Sequence, residues 1–334
     1  MIDGHGDDLF RFKGLVKHNF SSNIFSRVNH DGLLAHLAEC GEDMLHYPEP
    51  RCKSLEHVLA DEAGVDSSHV LVTNGATECI YMIAQMMRGK KAAIVAPAFR
   101  EYEDACELND MEVLWFGSLA DAVQSGADVV WVCNPANPTG YVTPHDELLC
   151  AINKYANTLF VVDQAYADYT LLRVLTPQEC VACGNVIMLS SLTKRFAVPG
   201  LRIGYAIGQV DEVAKYLRPW SVNSVAIAAA HYLVEHKADY MIDAQMLHEE
   251  ALRIGNELEK INIKVMRSDC NFILCELPHG SAAELKHWLV ERHGILIRDA
   301  SNFHGLDRRY LRVAAQTKEE NNLLINALTQ WIGL

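Results

Sequence analysis

Short apolar runs alternate with helical patterns over residues 54–208. The apolar runs lie at residues 70–72, 92–95, 113–116, 129–132, 159–162, 186–189 and 203–206. Continuous apolar runs separated by helices are typical of parallel strands that are buried on both faces. The pattern therefore predicts an α/β fold with a mainly parallel, mixed sheet between helices. Because ligands of such sheets bind beyond the carboxyl ends of the strands, the polar residues that follow the runs are the candidates for chemistry.

The two ends of the chain have different patterns. Residues 1–45 contain few strand patterns and predict an arm with short helices, one of them at residues 32–40. Further on, strand patterns at 263–266, 272–276, 295–297 and 310–313 accompany helical patterns at 282–293 and 318–332. We predict a large domain over residues 46–222. A smaller α/β domain over residues 223–334 is predicted to join the arm and to form the second wall of a cleft.

Composition limits the class of protein. The chain has 334 residues, a formal net charge of -14 and 50% apolar residues, which argues against a nucleic-acid backbone as the main partner. We find no run of about 18 apolar residues and no basic or apolar leader at the N-terminus, so we expect a cytoplasmic protein without a membrane partner.

The cysteines lie mostly in apolar runs, as reduced and buried thiols do. Cys180 and Cys183 have the CxxC spacing, but a zinc site needs a second pair, so no metal site is predicted.

Residues 189–202 carry the strongest chemical signal. Lys194 follows Ser191 and Thr193, and Arg202 comes eight positions after the lysine. Burial disfavours an ammonium ion, so a buried Lys194 would be a nucleophilic amine that forms an imine with an aldehyde. The two hydroxyls and the guanidinium fork suit a phosphate. Taken alone, the segment fits a solvated lysine at the end of a strand equally well.

The residues that follow the first strand offer a second phosphate contact. Gly75, Ala76 and Thr77 open a helical pattern. The free backbone N–H groups and the dipole of a helix N-terminus favour an anion there. A glycine turn before a helix is common, so this signal is weak by itself.

Three residues at the ends of later strands suit a planar ring. Phe99 has a flat face for stacking, although a core aromatic has the same pattern. Asn137 lies in a rigid Asn-Pro turn, from which its amide can donate to a ring oxygen. Asp163 ends an apolar strand, where a buried carboxylate needs a partner such as a pyridinium N–H.

Together, four segments resemble the fold-type I pyridoxal-phosphate enzymes of the aspartate aminotransferase kind. They are Asn137-Pro138-Thr139-Gly140, Asp163-Gln164-Ala165-Tyr166, Ser191-Leu192-Thr193-Lys194 and Gly200-Leu201-Arg202. The resemblance covers essentially the whole chain, with Gln164 as a departure from the more usual glutamate. It implies pyridoxal 5'-phosphate as the cofactor, held covalently by Lys194.

The resemblance also assigns roles around the cofactor. It implies Asp163 on the pyridine nitrogen, Asn137 and Tyr166 on the 3-oxygen, and Phe99 stacked on the ring. The phosphate would be held by the helix opening at Gly75 and by Ala76, Thr77, Ser191, Thr193 and Arg202. Tyr47 would reach the phosphate of a second subunit, so a homodimer with a shared active site is implied.

Two subgroups of this superfamily compete, and both use small phosphorylated amines. Residues 5–6, 19–23, 97–103, 219–223 and 297–306 resemble L-threonine-O-3-phosphate decarboxylase, a carboxy-lyase of cobalamin biosynthesis. Histidinol-phosphate aminotransferase, or another class I/II aminotransferase, is the alternative. The resemblance implies that the substrate contacts His5, Asn23, Asn137, Arg298 and Arg312.

Two departures from the family pattern concern the anion site of the substrate. Gln316 stands where a second arginine is expected, and Ile24 stands where a proline is usual. Without the resemblance, Arg298 and Arg312 would fit two surface arginines as well.

Overall fold

The apolar runs between residues 70 and 208 form one large sheet in the computed structural model of the protein, which describes residues 7–12 and 14–333. The strands are β1 (His18–Asn19), β2 (Val70–Thr73), β3 (Lys91–Val95), β4 (Glu112–Phe116), β5 (Val129–Cys133), β6 (Leu159–Asp163), β7 (Val186–Ser190), β8 (Gly204–Gly208), β9 (Lys264–Val265), β10 (Phe272–Glu276), β11 (Ile295–Leu296), β12 (Arg298–Asp299) and β13 (Tyr310–Ala314). The helices are α1 (Asp31–Glu39), α2 (Lys53–Ala63), α3 (Gly75–Met86), α4 (Glu101–Leu108), α5 (Leu119–Gln124), α6 (His145–Lys154), α7 (Pro177–Cys183), α8 (Leu192–Arg195), α9 (Asp211–Ala214), α10 (Ser224–Glu235), α11 (Ala244–Glu259), α12 (Ala282–His293) and α13 (Lys318–Ile332).

The large sheet is mixed but mainly parallel, as the sequence predicts. Its seven strands lie in the order β2-β8-β7-β6-β5-β3-β4. Strand β8 runs antiparallel to both of its neighbours, and the other pairs are parallel. Helices cover both faces, so every residue of the interior strand β5 is buried. The carboxyl ends of β2, β3, β5, β6 and β7 therefore meet at one edge, together with the amino end of β8.

The N-terminal arm joins the C-terminal part of the chain, which confirms the predicted smaller α/β unit. Strand β1 pairs in parallel with β11, and the four strands β12-β13-β10-β9 form an antiparallel sheet. Phe20 of the arm packs in the same core cluster as Leu247 and Leu289. Lys286 of α12 donates to both carboxylate oxygens of Asp8 at 2.7 Å, so a buried ion pair fastens the beginning of the arm to this unit.

A second short strand follows directly after one predicted strand. The pattern at residues 295–297 predicts a single strand, whereas β11 pairs with the arm and β12 pairs with β13. The chain changes partner at Ile297, which is fully buried. This change brings Arg298 into register with Arg312 on β13.

The predicted domain boundaries at residues 45/46 and 222/223 stay predictions. Helix α10 follows the second boundary, yet Ala226, Ala229 and Leu233 pack in the core cluster of the large sheet. We therefore propose that the chain passes to the smaller unit after α10. Within the described ranges no helix combines the length and the apolar character needed to span a membrane.

Cys180, the first cysteine of the CxxC pair, packs in the protein core. Cys180 is fully buried and its thiol donates to the carbonyl of Ile207 at 3.2 Å. Burial raises the pKa of the Cys180 thiol to about 12, so this group stays protonated at neutral pH.

Candidate active site

A cavity of about 440 Å³ opens at the strand edge described above. Most of the residues that the sequence assigns to a cofactor lie in its wall: Ala76, Thr77, Phe99, Asn137, Asp163, Tyr166, Ser191, Thr193, Lys194 and Arg202. Arg298 and Arg312 complete the wall from the smaller unit. Residues from both units therefore surround one space, as expected for a cleft between them.

Three of the predicted site residues that the structure describes do not line this cavity. Gly75 lies behind Arg202, and Asn23 is completely buried beside Tyr166. Tyr47 is 87% exposed, so a contact with the cofactor phosphate would require a second subunit and stays a prediction. His5 lies outside the described residues.

Groups that can bind an anion lie together at one end of the cavity. The first turn of α3 supplies backbone N–H groups, and the Ser191 and Thr193 hydroxyls lie 2.8 Å apart beside it. Arg202 has a left-handed backbone conformation, with φ +52°, and donates to the carbonyl of Pro199 at 3.1 Å. In the described part of the chain its guanidinium has no ion-pair partner, so its charge is available to a bound anion.

Two glycines let this end of the cavity form. At Gly75, where φ is +73°, a Cβ atom would lie 2.6 Å from Nη2 of Arg202. At Gly204, the first residue of β8, a Cβ atom would lie 2.5 Å from the backbone nitrogen of Ala76. Any side chain at either position would push the arginine or the helix out of place.

Lys194 projects from the short helix α8 into the middle of the cavity. Its Nζ donates to the carbonyl of Ser22 at 2.8 Å and lies 5.7 Å from the centre of the Tyr166 ring. Loss of hydration, reinforced by the charge of Arg312 and opposed by that of Asp7, lowers the pKa of Lys194 to about 8. The residue is therefore not a solvated lysine, and a substantial share of it is a neutral nucleophile near physiological pH.

Asp163 lies at the end of β6 with its carboxylate almost completely buried. Its Oδ2 accepts a hydrogen bond from the Tyr102 hydroxyl at 2.6 Å, and its Oδ1 accepts one from the backbone of Ala165 at 2.9 Å. Burial raises the pKa of the Asp163 carboxyl, while these bonds and the charge of Lys194 oppose the rise. Each oxygen keeps a second lone pair, so the carboxylate can accept a further bond from the cavity.

The sequence interpretation missed Tyr102. Its ring stacks on Trp131 with centroids 5.2 Å apart, and this contact directs the hydroxyl towards Asp163. The available signal was its position three residues after Phe99, which places both rings on one side of a turn. Phe99 and Tyr102 do contact each other edge to face.

Arg298 and Arg312 face the cavity side by side because they are paired in the β12–β13 ladder. Arg312 donates to Oδ1 of Asn137 and to the carbonyl of Ser21. Arg298 donates to Oδ1 of Asn302 at 2.7 Å. Both are buried, which contradicts the alternative of two surface arginines.

The buried environment of these two arginines favours the binding of an anionic ligand. Burial lowers the pKa of the Arg312 guanidinium to about 9 and that of Arg298 to about 10. Within residues 7–12 and 14–333 neither forms an ion pair. The charges of Asp299 and Asp8 favour the charged form of Arg298, but neither carboxylate pairs with it directly. Two adjacent buried cations without a direct ion pair are costly, so a ligand that carries two anionic groups would be favoured here.

Asn137 is oriented by this arrangement. Since its Oδ1 accepts from Arg312, its amide NH₂ is the group left to face a ligand. This is the orientation that donation to a ring oxygen requires.

Gln316, the departure from the family pattern, serves the arm and does not line the cavity. Its Oε1 accepts from the backbone and the hydroxyl of Ser26 at 3.0 and 2.8 Å, and its Nε2 donates to the carbonyl of Ile24 at 2.8 Å. The glutamine thus holds residues 24–26 on the smaller unit. The carbonyls of Ser21 and Ser22, just before them, bind Arg312 and Lys194, and no sequence pattern could have revealed these backbone contacts.

Comparison with known proteins identifies the family. The model of the aminotransferase class I and II family matches residues 17–328. The chain belongs to the aminotransferase class I and II family. This confirms the resemblance carried by the four motifs of the sequence.

Two kinds of enzyme occur among the similar members of the aminotransferase class I and II family. The chain is 30% identical to threonine-phosphate decarboxylase from Salmonella typhimurium over 84% of this chain and 82% of that protein. It is 33% identical to histidinol-phosphate aminotransferase from Caldanaerobacter subterraneus over 85% of this chain and 84% of that protein. The crystal structure of L-threonine-O-3-phosphate decarboxylase from Porphyromonas gingivalis matches with a TM-score of 0.92 and 36% identity, over 95% of this chain and all of that one.

Proposed function

We propose that the protein is a pyridoxal-phosphate-dependent carboxy-lyase that converts L-threonine O-3-phosphate to (R)-1-amino-2-propanol phosphate and carbon dioxide. Arg298 and Arg312, which are adjacent, buried and without an ion pair in the described residues, carry this proposal, since the substrate has both a carboxylate and a phosphate. The similarity to the Porphyromonas gingivalis decarboxylase supports it. A place in cobalamin biosynthesis, which the resemblance implied, follows from this substrate.

The cavity fits pyridoxal 5'-phosphate. The absence of a Cβ at Gly75 leaves room for Arg202 beside the first turn of α3, where a phosphate would also meet Ser191 and Thr193. Lys194 would hold the aldehyde carbon as an imine, Asp163 would hold the ring nitrogen, and Phe99 would lie on the ring. When bound, the cofactor supplies an electron sink for the bond that breaks at the α-carbon.

The residues of this chain decide which bond breaks. A carboxylate and a phosphate held by the two arginines fix the rotation of the α-carbon, so the binding energy of the anions selects the bond to the carboxylate. Because the pKa of Lys194 is about 8, its Nζ carries a proton much of the time at neutral pH and can deliver it to the α-carbon after carbon dioxide has left.

Histidinol-phosphate aminotransferase is the second candidate, because a relative of that name is as similar in sequence as the decarboxylases are. Histidinol phosphate has no carboxylate, so one anionic contact would suffice for it. As a site for the amine substrate, two adjacent arginines therefore suit threonine phosphate better.

Separate incubations with the two substrates test the proposal. We expect carbon dioxide release from threonine phosphate, and little 2-oxoglutarate-dependent amino transfer from histidinol phosphate. Efficient transfer from histidinol phosphate without decarboxylation of threonine phosphate would reject the proposal.

Substitution of an arginine tests the anion site itself. Arg312→Ala should lower kcat/KM for threonine phosphate by a factor that corresponds to about 2 to 5 kcal/mol, because a buried charge-assisted pair is lost. Arg308→Ala, which removes an exposed arginine from the segment just before β13, is the matched control and should behave as wild type. Equal behaviour of the two variants would place the anion site elsewhere.

We also propose a homodimer in which Tyr47 reaches the cofactor phosphate of the second subunit. Its ring is exposed and lies 5.4 Å from that of Trp220, which is also half exposed, so an apolar surface is available for a second copy. Sedimentation velocity should give the mass of a dimer, and Tyr47→Phe should weaken cofactor binding. A monomer that retains full activity would contradict the shared site.

A further inference from the structure

An aromatic contact joins the two walls of the cleft next to residues that line the cavity. The imidazole of His304 lies on the indole of Trp115 with ring centroids 4.2 Å apart and planes only 8° from parallel. Trp115 belongs to the edge strand β4 of the large sheet, whereas His304 lies in the loop that follows β12 of the smaller unit. The contact therefore joins the two units directly beside the candidate anion site.

Trp115 is held in place from its own side of the cleft. Its indole Nε1 donates to Oε1 of Glu103 on α4 at 3.1 Å, and its backbone is paired with Ile94 in the β3–β4 ladder. The indole is thus a fixed platform, and the stack constrains the partner that lies on it.

The loop that carries His304 also orients Arg298. Nη2 of Arg298 donates to Asn302, and its guanidinium carbon lies 5.2 Å from the centre of the Phe303 ring. Asn302 and Phe303 line the cavity and directly precede His304 in the chain. Any movement of His304 away from the large sheet would therefore carry the two contacts of Arg298 with it.

We propose that the stack of His304 on Trp115 is a clasp across the cleft that positions Arg298 for the anionic substrate. His304 and Trp115 are positioning residues, because both act through Asn302 and Phe303 and neither is assigned a contact with the substrate. This inference rests on the proposed function for the role of Arg298, while the clasp itself rests on the contact between the two units.

A double-mutant cycle on the holoenzyme tests the clasp. The variants are His304→Ala, Trp115→Leu, the double variant and His304→Phe, which can stack again. An aromatic pair of this kind corresponds to about a three- to tenfold change in an equilibrium constant. We expect each single truncation to raise KM for threonine phosphate about three- to tenfold with little change in kcat. The KM of the double variant should be no higher than that of either single variant. The KM of His304→Phe should approach the wild-type value.

The matched control is His279→Ala, an exposed histidine of the same unit that belongs to a different loop, between β10 and α12. It should leave KM unchanged. Additive effects of the two truncations, or failure of His304→Phe to restore KM, would overturn the clasp. Unchanged KM in His304→Ala would overturn it as well, even if Trp115→Leu folds poorly.

A substrate-independent readout separates this inference from the proposed function. The same cycle measured in urea unfolding should show coupling between His304 and Trp115 whichever substrate the enzyme uses. If wild type processes histidinol phosphate instead, the proposed function fails, and the KM cycle is repeated with that phosphorylated amine. If the free energies of unfolding show no coupling between His304 and Trp115, the clasp is overturned, whichever reaction the enzyme catalyses.

Discussion

The lowered pKa of Lys194 leads to a quantitative prediction about cofactor attachment. Burial, together with the charge of Arg312, lowers the pKa of this amine from 10.5 to about 8. A difference of about 2.5 in pKa corresponds to about 3 kcal/mol between the two protonation states. At pH 7 about one tenth of the lysine is then neutral, against roughly 0.03% for an ordinary lysine.

The rate of imine formation reports this neutral fraction. When apoenzyme is mixed with pyridoxal 5'-phosphate, the rate should rise with pH through about pH 8 and level off above it, since only the neutral amine attacks the aldehyde. The reaction is followed by the absorbance of the imine. Borohydride reduction and peptide mapping should then find the label on Lys194.

Two substitutions should move this profile in opposite directions. Arg312→Met removes a cation that lowers the pKa of Lys194, so the midpoint should move to higher pH. Asp7→Asn removes an anion that raises this pKa, so the midpoint should move to lower pH. Arg308→Met, which changes an exposed arginine, should leave the midpoint unchanged. A wild-type midpoint near 10.5, shifts of equal sign in the two variants, or a label on another lysine would refute the reasoning.

Three further predictions concern the support of the site and the fold. Gly75→Ala should weaken pyridoxal-phosphate binding in equilibrium dialysis, because it costs about 1 to 2 kcal/mol at φ +73° and displaces Arg202. Tyr102→Phe removes a hydrogen bond that lowers the pKa of Asp163, so the acid limb of the kcat–pH profile should move to higher pH. Glu320→Gln should lower the free energy of unfolding in urea by about 1 kcal/mol at pH 7. That difference should shrink as the pH falls from about 4 towards 2.

The direction of the pH dependence at Glu320 follows from its hydrogen-bond partners. Burial alone would raise its pKa, but hydrogen bonds from Arg27 and His18 outweigh burial and lower the pKa to about 2. Its stabilising effect is therefore complete above the pKa of the unfolded chain, about 4.3, and is lost as the pH falls through the folded value. The exposed neighbour variant Glu319→Gln should show no such pH dependence.

Matched comparisons decide the other two predictions. Gly41→Ala adds a Cβ that meets nothing within 4 Å and should leave cofactor binding unchanged, so equal binding by the Gly41 and Gly75 variants would contradict the steric argument. For Tyr102→Phe, an acid limb at the wild-type position would show that the hydroxyl does not tune Asp163.

The sequence by itself determined the large sheet and the residues at its active edge. Apolar runs identify buried strands, and local turn chemistry follows each run. Asn137, Asp163 and Lys194 could therefore be found without coordinates, because the carboxyl ends of parallel strands meet at one edge whatever the rest of the fold does. The association of the arm with the C-terminal part was also predicted, and β1 pairs with β11 accordingly.

Only the tertiary structure decided the contacts between residues that are distant in sequence. The pairing of Arg298 with Arg312 depends on a change of strand partner at Ile297, which the apolar pattern of residues 295–297 conceals. The carbonyl of Ser22 that holds Lys194 is a backbone atom, and every residue type carries one. The stack of His304 on Trp115 needs two separate units to meet next to residues that line the cavity. Periodicity reports which face of an element is buried, but the partner across a cleft is set by how whole elements pack.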